Sequence, residues 1–529
     1  MLFALENLVR QYLACRRNKR NTVNALRFEA RQELNLLALR QALVQRTYEP
    51  ARSVCFFVRR PKLREVFAAD FRDRVVHHVL VSHLEQTWEP IFIADSYACR
   101  RGKGVHAAVA RLQQFMRQVT VNGTREAWAL QLDIHNYFMS IDKARLLAML
   151  DAKLKDDDAR WLTEKLVFHD CTLDPVLKGD SRWVDKLPPH KTLFRAPSGK
   201  GLPIGNLNSQ FFANVYLNAL DQFVKHELKC RWYLRYCDDF VLLAHSREQL
   251  EAWRERIRDF LREALLLELN DARERLRPIG DGLDFLGYIV RPFHLLVRRR
   301  VVGHLRERLQ RFERALVARH EPEGQPRGRT PEPKARRYSS GHATEYRFDP
   351  AVLDVLQASL ASYFGHFKPA ATRRLEAALW RQHGWLAQFF TLHTDGRLRR
   401  RDCGAPRARN VLQQYRHWRE VFAGDVVLMQ IGAFIEQLQW PPRRLVVGHG
   451  STPGESAAFN GLRRMRPTRR GARCGFPADQ LGRRVAALLR AGKSVTLVAQ
   501  TGQFDGRLEQ RRPTRRWSPV AAGLPSGAR

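Results

Sequence analysis

The chain has 529 residues, long enough for more than one domain, and carries 91 Lys and Arg against 54 Asp and Glu, a formal net charge of +37. Charge of that size works against a compact state unless a polyanion neutralises it, so nucleic acid is the expected partner. No apolar run approaches the ~20 residues a membrane span needs, residues 1–6 lack the basic start and apolar core of a secretion signal, and eight scattered cysteines without a Cys-x-x-Cys pair indicate neither zinc nor a disulfide framework, which points to a reducing cytoplasm.

Residues 1–48 read as two helices, one with Leu8, Tyr12 and Cys15 on its apolar stripe, the other with Leu26, Ala30, Leu34 and Leu37. The basic cluster between them, Arg16-Arg17-Asn18-Lys19-Arg20, is either a solvated face or a grip on phosphates. A short strand over 54–58 leads into Lys62-Leu63-Arg64-Glu65-Val66, whose cations either meet phosphates or are absorbed by Glu65, Asp70 and Asp73. A Gly-Lys-Gly loop ending at Gly104 opens a helix over 105–116, a placement that suits phosphates. Over 128–134, Trp128, Leu130, Leu132 and Ile134 alternate with Ala129, Gln131 and Asp133, the period of a half-buried strand with Asp133 on its less apolar face. Residues 170–198 show no clear period and read as an insertion or a substrate-facing loop. Gly201 to Gln210 then opens a helix through Phe211, Ala213, Val215, Leu217 and Leu220.

The centre of the chain is Arg235-Tyr236-Cys237-Asp238-Asp239-Phe240, between the β-prone runs Trp232-Tyr233-Leu234 and Val241-Leu242-Leu243-Ala244. This pattern predicts a tight hairpin that lifts two adjacent carboxylates to the end of a sheet. By itself it is equally an acidic turn. If the Asp133 strand pairs with it, Asp133, Asp238 and Asp239 converge, and adjacent carboxylates that repel are best reconciled by divalent cations. Three carboxylates can hold two Mg²⁺ about 4 Å apart, the arrangement that activates a 3′-hydroxyl and stabilises a leaving pyrophosphate.

Tyr-x-Asp-Asp after Leu132-Asp133-Ile134 resembles the palm of a reverse transcriptase, and the resemblance covers about residues 1–395. It implies Asp133, Asp238 and Asp239 as catalytic residues and, with Ile134, as the metal site for two Mg²⁺, with Mn²⁺ as a substitute. It also implies that Lys62 and Arg64 meet the triphosphate, that 95–104 lies near the primer–template, and that Phe138, five residues after Asp133, closes on the sugar and rejects a 2′-hydroxyl. In Gly201-Leu202-Pro203-Ile204-Gly205-Asn206-Leu207-Asn208-Ser209-Gln210, nucleotide-binding by resemblance at Ile204, Gly205 and Gln210, Ile204 stands where most of the family has glutamine and Gln210 where it has proline. That variant resembles the reverse transcriptases of diversity-generating retroelements, which copy template RNA with frequent errors opposite adenine. The exchange removes a polar contact beside the incoming nucleotide, and a net hydrogen bond is worth about 0.5–1.5 kcal/mol, up to roughly tenfold in discrimination.

Beyond the hairpin, 250–267 reads as a helix, 283–288 resembles the family's primer-side strand, and Val301, Leu305, Leu309, Phe312 and Leu316 mark an arginine-studded thumb helix. A linker rich in Pro, Glu and Arg spans about 320–348, and 352–392 reads as the rest of the thumb region. Then the character changes. A strand over 425–431 precedes Gly432-Ala433-Phe434-Ile435-Glu436; later come Gly475-Phe476-Pro477, a helix through Val485 and Leu489, and Ala491-Gly492-Lys493-Ser494-Val495 up to Gln500-Thr501-Gly502. These resemble the N-terminal mismatch-recognition domain of MutS repair proteins, and the resemblance places Phe434 beside a mispaired base with Glu436 hydrogen-bonding it, the logic of an aromatic wedge at an unstacked step. Gly492-Lys493-Ser494 is no phosphate loop, because position 487 is alanine and a helix precedes it. Residues 441–529 hold 18 Lys and Arg against 4 Asp and Glu, so this end binds polyanions on charge alone.

The expected fold class is α+β: a right-hand polymerase with fingers, ferredoxin-like palm and helical thumb, plus a small α/β C-terminal domain like domain I of MutS. The expected divisions are fingers and palm over 1–295, thumb and helical extension over 296–395, a basic linker over 396–407, the MutS-like domain over 408–515 and a disordered tail over 516–529. The expected function is Mg²⁺-dependent, RNA-templated DNA synthesis for sequence diversification. By resemblance the setting is a bacterial or archaeal cytoplasm, with template RNA, cDNA and target DNA as partners, a small basic accessory protein beside them, and no membrane. A group II intron or anti-phage defence reverse transcriptase is the alternative within the class, and a nucleic-acid-binding scaffold the alternative outside it.

Overall fold

The structure, a computed structural model, describes residues 1–17, 22–58, 63–180, 182–320, 343–370, 372–392, 397–402, 408, 410–439, 463–464, 472–505 and 508–519. They fall into two compact units, Met1–Leu296 and Val297–Arg529. Among the described residues no helix is long and apolar enough to cross a membrane.

The first unit is built on a four-stranded antiparallel sheet of Trp128–Asp133, Trp232–Tyr236, Asp239–Ala244 and Arg275–Pro278. Numbered in chain order, the strands lie 4-1-3-2 across the sheet, and the helices Leu207–Gln222 and Arg247–Leu265 supply the two crossovers. This is the βαββαβ arrangement expected for the palm. The second crossover shows why such a helix forms and stops. Ser246 caps it by accepting from the Gln249 amide (3.2 Å). Leu250, Ile257, Leu261 and Leu265 recur at helical spacing and are buried, and Leu266 at φ +51° ends it.

Helix Leu207–Gln222 is buried on nearly every side, polar residues Asn208, Asn214 and Asp221 included. Around the palm, Val54–Val58 and Arg64–Ala68 form a hairpin that Val176–Lys178 joins in parallel. The N-terminal stretch read as two helices is three, Leu5–Arg16, Val23–Glu29 and Gln32–Val44. The second half of the expected pattern breaks at Ala30–Arg31, which lie between helices and let Phe28 and Leu36 both turn into the core.

In the second unit, helix Arg299–Leu316 buries Leu305, Leu309 and Leu316 and leaves its arginines outside. These leucines share one core with Leu353, Leu356 and Leu360 of Pro350–Phe367, with Tyr415 and Trp418 of Val411–Val421, and with Val427, Met429 and Val498 of the central sheet. Among the described residues that sheet has eight strands, and its order places Val317–His320 and Ala343–Arg347 beside Leu508–Pro519 and Val495–Asp505. Three expectations are corrected here. The stretch read as a linker over 320–348 is bounded by two of the sheet's strands, while 321–342 lie outside the described residues. The linker read at 396–407 contains the strand Leu398–Arg400, paired with Phe390–Leu392, and the segments before and after it share a single core. The tail read from 516 begins inside a strand, where Arg516 forks onto the Asp425 carboxylate at 2.7 and 2.8 Å. Composition predicted the opposite because six of the twelve residues over 508–519 are Arg or Pro; the partners that neutralise and pair them are distant in sequence.

Candidate active site

The hairpin forms as the apolar runs predict. Trp232–Tyr236 pairs with Asp239–Ala244, joined by Cys237 and Asp238 alone. Cys237 takes φ +57°, the left-handed half that two-residue hairpin connections use. Asp239–Ala244 pairs on its other edge with Trp128–Asp133, in a register that sets Asp133 directly opposite Asp239. Asp238 sits in the turn beside them, and its carbonyl accepts from the Ile134 amide (3.3 Å). Two segments separated by a hundred residues thus bring three carboxylates to one end of the sheet.

Asp133 is only 4% exposed, more buried than alternation suggested. Its two oxygens accept from Asn270 Nδ2 (2.8 Å) and Arg273 Nη1 (2.7 Å), and its carbonyl accepts from the Asn270 amide (2.8 Å). Burial, and next the neighbouring Asp238, push the Asp133 carboxyl up to about 6, against the pull of Asn270 and His135. Asp238 is also pushed up, chiefly by burial, while Arg64 and Arg235 pull it back. Burial of both carboxylates, with Asp238 acting on Asp133, raises the cost of ionising the pair, the electrostatic condition a cation relieves. Among the described residues no three His, Cys, Asp or Glu side chains make a ready metal cage. Mg²⁺ does not require one, since it is usually held by one or two carboxylates with water and substrate phosphates. No local sequence pattern marks Asn270 and Arg273 as partners of this carboxylate.

Arg64 opens its strand exposed to solvent, and its charge reaches Asp238. The carboxylates that could have absorbed it are engaged elsewhere. Glu65 is buried and accepts from Thr192 Oγ1 (2.6 Å) and the Leu193 amide. Asp70 caps helix Phe71–Trp88, and Asp73 accepts from Tyr48 (2.8 Å) and the Ala51 amide (2.8 Å). Lys62 lies outside the described residues.

The loop from 201 to 206 docks on the Arg64–Ala68 strand. The Ile204 carbonyl accepts from the Phe67 amide (2.9 Å) and Asn206 Oδ1 from the Ala69 amide (3.1 Å). Between them Gly205 sits at φ +121°, where an added Cβ would lie 2.7 Å from Val66 Cγ1 and 2.8 Å from the Phe67 carbonyl oxygen. Gln210 stands in the first turn of helix Leu207–Gln222. Phe138, half-buried, is tied to the same loop through its carbonyl, which accepts from the Leu202 amide (2.8 Å). Arg64, Phe138 and the Ile204–Gln210 segment are thus joined by backbone hydrogen bonds into one framework alongside the aspartates. The loop over 95–104 is stitched in as well: Asp95 and Tyr97 bond the Arg235 backbone on either side, both at 2.9 Å.

Phe434 and Glu436 belong to the second unit. Phe434 begins the strand Phe434–Gln439 after a tight turn, is 48% exposed, and pairs with Ile431 and Pro477. Glu436 is 6% exposed and packs its stem on Gly475, where an added Cβ would meet Glu436 Cγ at 3.1 Å. The structure presents the aromatic and buries the carboxylate.

Residues 60–290 match the family model described as reverse transcriptase (RNA-dependent DNA polymerase). The chain is 28% identical to protein YkfC of Escherichia coli strain K12 over 332 residues, 56% of this chain and 82% of that protein. It is 22% identical over 292 residues to the group II intron-encoded protein LtrA of Lactococcus lactis subsp. cremoris, 44% of this chain and 45% of that protein; the chain thus spans less than half of LtrA. Among solved structures it is similar to telomerase from Candida albicans in complex with a TWJ fragment of telomeric RNA, at 12% identity and a TM-score of 0.31, covering 50% of this chain and 51% of that one.

Proposed function

We propose that this chain, whose residues 60–290 match the reverse transcriptase family model, is an RNA-directed DNA polymerase that copies a template RNA with errors directed to adenine, for sequence diversification. The observation that carries the catalytic part is the register that sets Asp133 opposite Asp239 with Asp238 in the adjoining turn. Two divalent cations, Mg²⁺ with Mn²⁺ as substitute, would supply activation of the 3′-hydroxyl and stabilisation of the leaving pyrophosphate. Asp133 and Asp238 are the residues to hold them, with Asp239 and Ile134 beside. Asp133 does so on leaving Arg273, whose guanidinium is then free to face phosphate. Arg64 meets the triphosphate, and Phe138 closes on the sugar. Template RNA, cDNA and target DNA are the partners, with a small basic accessory protein beside them.

Diversification is supported by Ile204 and Gln210. Ile204 has only its backbone committed to the fingers strand, so its side chain is free to shape the nucleotide site without a polar contact. Ile204→Gln is expected to lower misincorporation opposite template adenine by up to roughly tenfold, read by sequencing cDNA from both forms. An unchanged adenine error spectrum would remove Ile204 as the determinant. The relationship to LtrA favours a second reading, a group II intron type of enzyme, which predicts faithful copying by the parent in the same experiment.

The MutS-like reading of the C-terminal segment is supported by Phe434, an exposed aromatic at a strand start. A stacked aromatic is worth about 1–3 kcal/mol per base and depends weakly on salt, whereas phosphate contacts fall steeply with it. Phe434→Ala is expected to erase a preference of the protein for mismatched over matched duplex at moderate salt, leaving matched binding nearly unchanged. The full chain is the form to use, because a fragment beginning at 408 would lose two strands of the sheet. A parent without such a preference would make this segment a basic anchor, and burial of Glu436 already leaves the aromatic as the one exposed member of the pair.

A further inference from the structure

A fully buried charged side chain lies three residues before Asp238, in the strand that leads into the turn. Arg235 and Asp221 are both wholly buried, and they meet through two parallel bonds, Nε to Oδ1 at 2.8 Å and Nη2 to Oδ2 at 2.6 Å. The remaining nitrogen, Nη1, donates to the carbonyl of Cys237 (3.1 Å) and to Asn214 Oδ1 (3.3 Å). Tyr233 gives its hydroxyl proton to Asp221 Oδ1 (2.8 Å), and Asn214 Nδ2 donates to the Ala98 carbonyl (2.9 Å). Asp221 and Asn214 both stand on helix Leu207–Gln222, the helix that the Ile204–Gln210 loop opens.

A buried ion pair is weak evidence of a stabilising role, because apolar residues of similar volume often serve the fold as well. What apolar residues cannot do is hold a carbonyl. The Cys237 carbonyl is the last backbone acceptor before Asp238, in a two-residue turn whose first residue sits at positive φ. Only a rigid fork on a fixed anchor reaches Asp221 and that carbonyl together.

We propose that Arg235, anchored by Asp221 and Asn214, is a positioning residue that fixes the Cys237–Asp238 turn against the helix of the nucleotide-facing loop. It sets where the Asp238 carboxylate stands without touching substrate or metal. The assignment rests on the reading of Asp133 and Asp238 as metal ligands.

Two variants of the full chain separate positioning from packing. In Asp221→Leu/Tyr233→Phe/Arg235→Met the charges and the dependent hydroxyl leave together, so no buried charge is left alone; only the Cys237 carbonyl and Asn214 Oδ1 lose a donor, and thermal unfolding is lowered modestly. Arg235→Lys keeps the charge opposite Asp221 but cannot also hold the Cys237 carbonyl. Mn²⁺ binding is followed by electron paramagnetic resonance, and primer extension on an RNA template gives kcat and the nucleotide KM. Positioning predicts a Mn²⁺ affinity about tenfold weaker in the triple variant and kcat lower by about a hundredfold, with KM nearly unchanged and Arg235→Lys in between. A folded triple variant with parental Mn²⁺ affinity and kcat overturns the proposal. Should the triple variant fail to fold, parental values in Arg235→Lys overturn it equally. Asp238→Asn serves as the control: if it leaves Mn²⁺ binding intact, the metal-site reading itself has failed, whatever Arg235 does.

Discussion

Asp238→Asn should reduce extension of a primed RNA template by roughly a thousandfold or more, about 4 kcal/mol of barrier, while leaving nucleic-acid binding nearly intact. One negative ligand is lost from a site whose protein donors are few, since no cage of three or more His, Cys, Asp or Glu side chains exists among the described residues. The loss should not come from unfolding. The folded Asp238 carboxyl is held above its ordinary range by burial, so the stability it contributes is present at low pH and disappears as pH rises through its folded value. At neutral pH the ionised group is a cost to the fold, and the amide removes that cost. The thermal midpoint at pH 7 should therefore equal or exceed that of the parent. Activity within tenfold of the parent, with full occupancy of Mg²⁺, would mean that the turn does not carry the reaction.

Gly205→Ala should damage both fold and activity. The alanine Cβ would press on Val66 Cγ1 at 2.7 Å and on the Phe67 carbonyl oxygen at 2.8 Å, at a backbone φ of +121° that L side chains avoid. Overpacking costs about 1–3 kcal/mol, and an unfavourable backbone region another 1–3 kcal/mol. The first unit should lose about 2–6 kcal/mol, seen as a lower midpoint of its unfolding transition. Activity at temperatures where it remains folded should fall by more than tenfold, because the loop can no longer seat the Ile204 carbonyl on the Phe67 amide. Adding Val66→Ala relieves the side-chain half of the clash and leaves the backbone half, so rescue should be partial. Full stability in Gly205→Ala alone would show that the loop does not dock on the Arg64–Ala68 strand.

The candidate carboxylates were legible because their information is local. A hairpin needs two apolar runs and a short turn, and a strand end needs a period of two, so Asp133, Asp238 and Asp239 stand out in short windows of sequence. Asn270 and Arg273 were not legible, since nothing near them in the chain says that their donors fold back onto Asp133. Arg235 did carry a local signal, a lone cation inside the apolar run from Trp232 to Leu243, but its meaning depends on Asp221 and Asn214 one helix away.

The second unit shows the same division. The strand over 426–431 and the helix over 481–490 follow from hydrophobic period alone, and composition alone marks 441–529 as strongly cationic. That Val317–His320 and Ala343–Arg347 join the C-terminal sheet, and that Arg516 is fixed on Asp425 rather than loose in a tail, was decided by pairing between segments far apart in the chain. Backbone pairing carries no side-chain signature at the partner. Composition therefore determined which segments were apolar, cationic or turning, while the tertiary structure decided which cations are neutralised inside the fold and which, like Arg64, remain exposed to solvent.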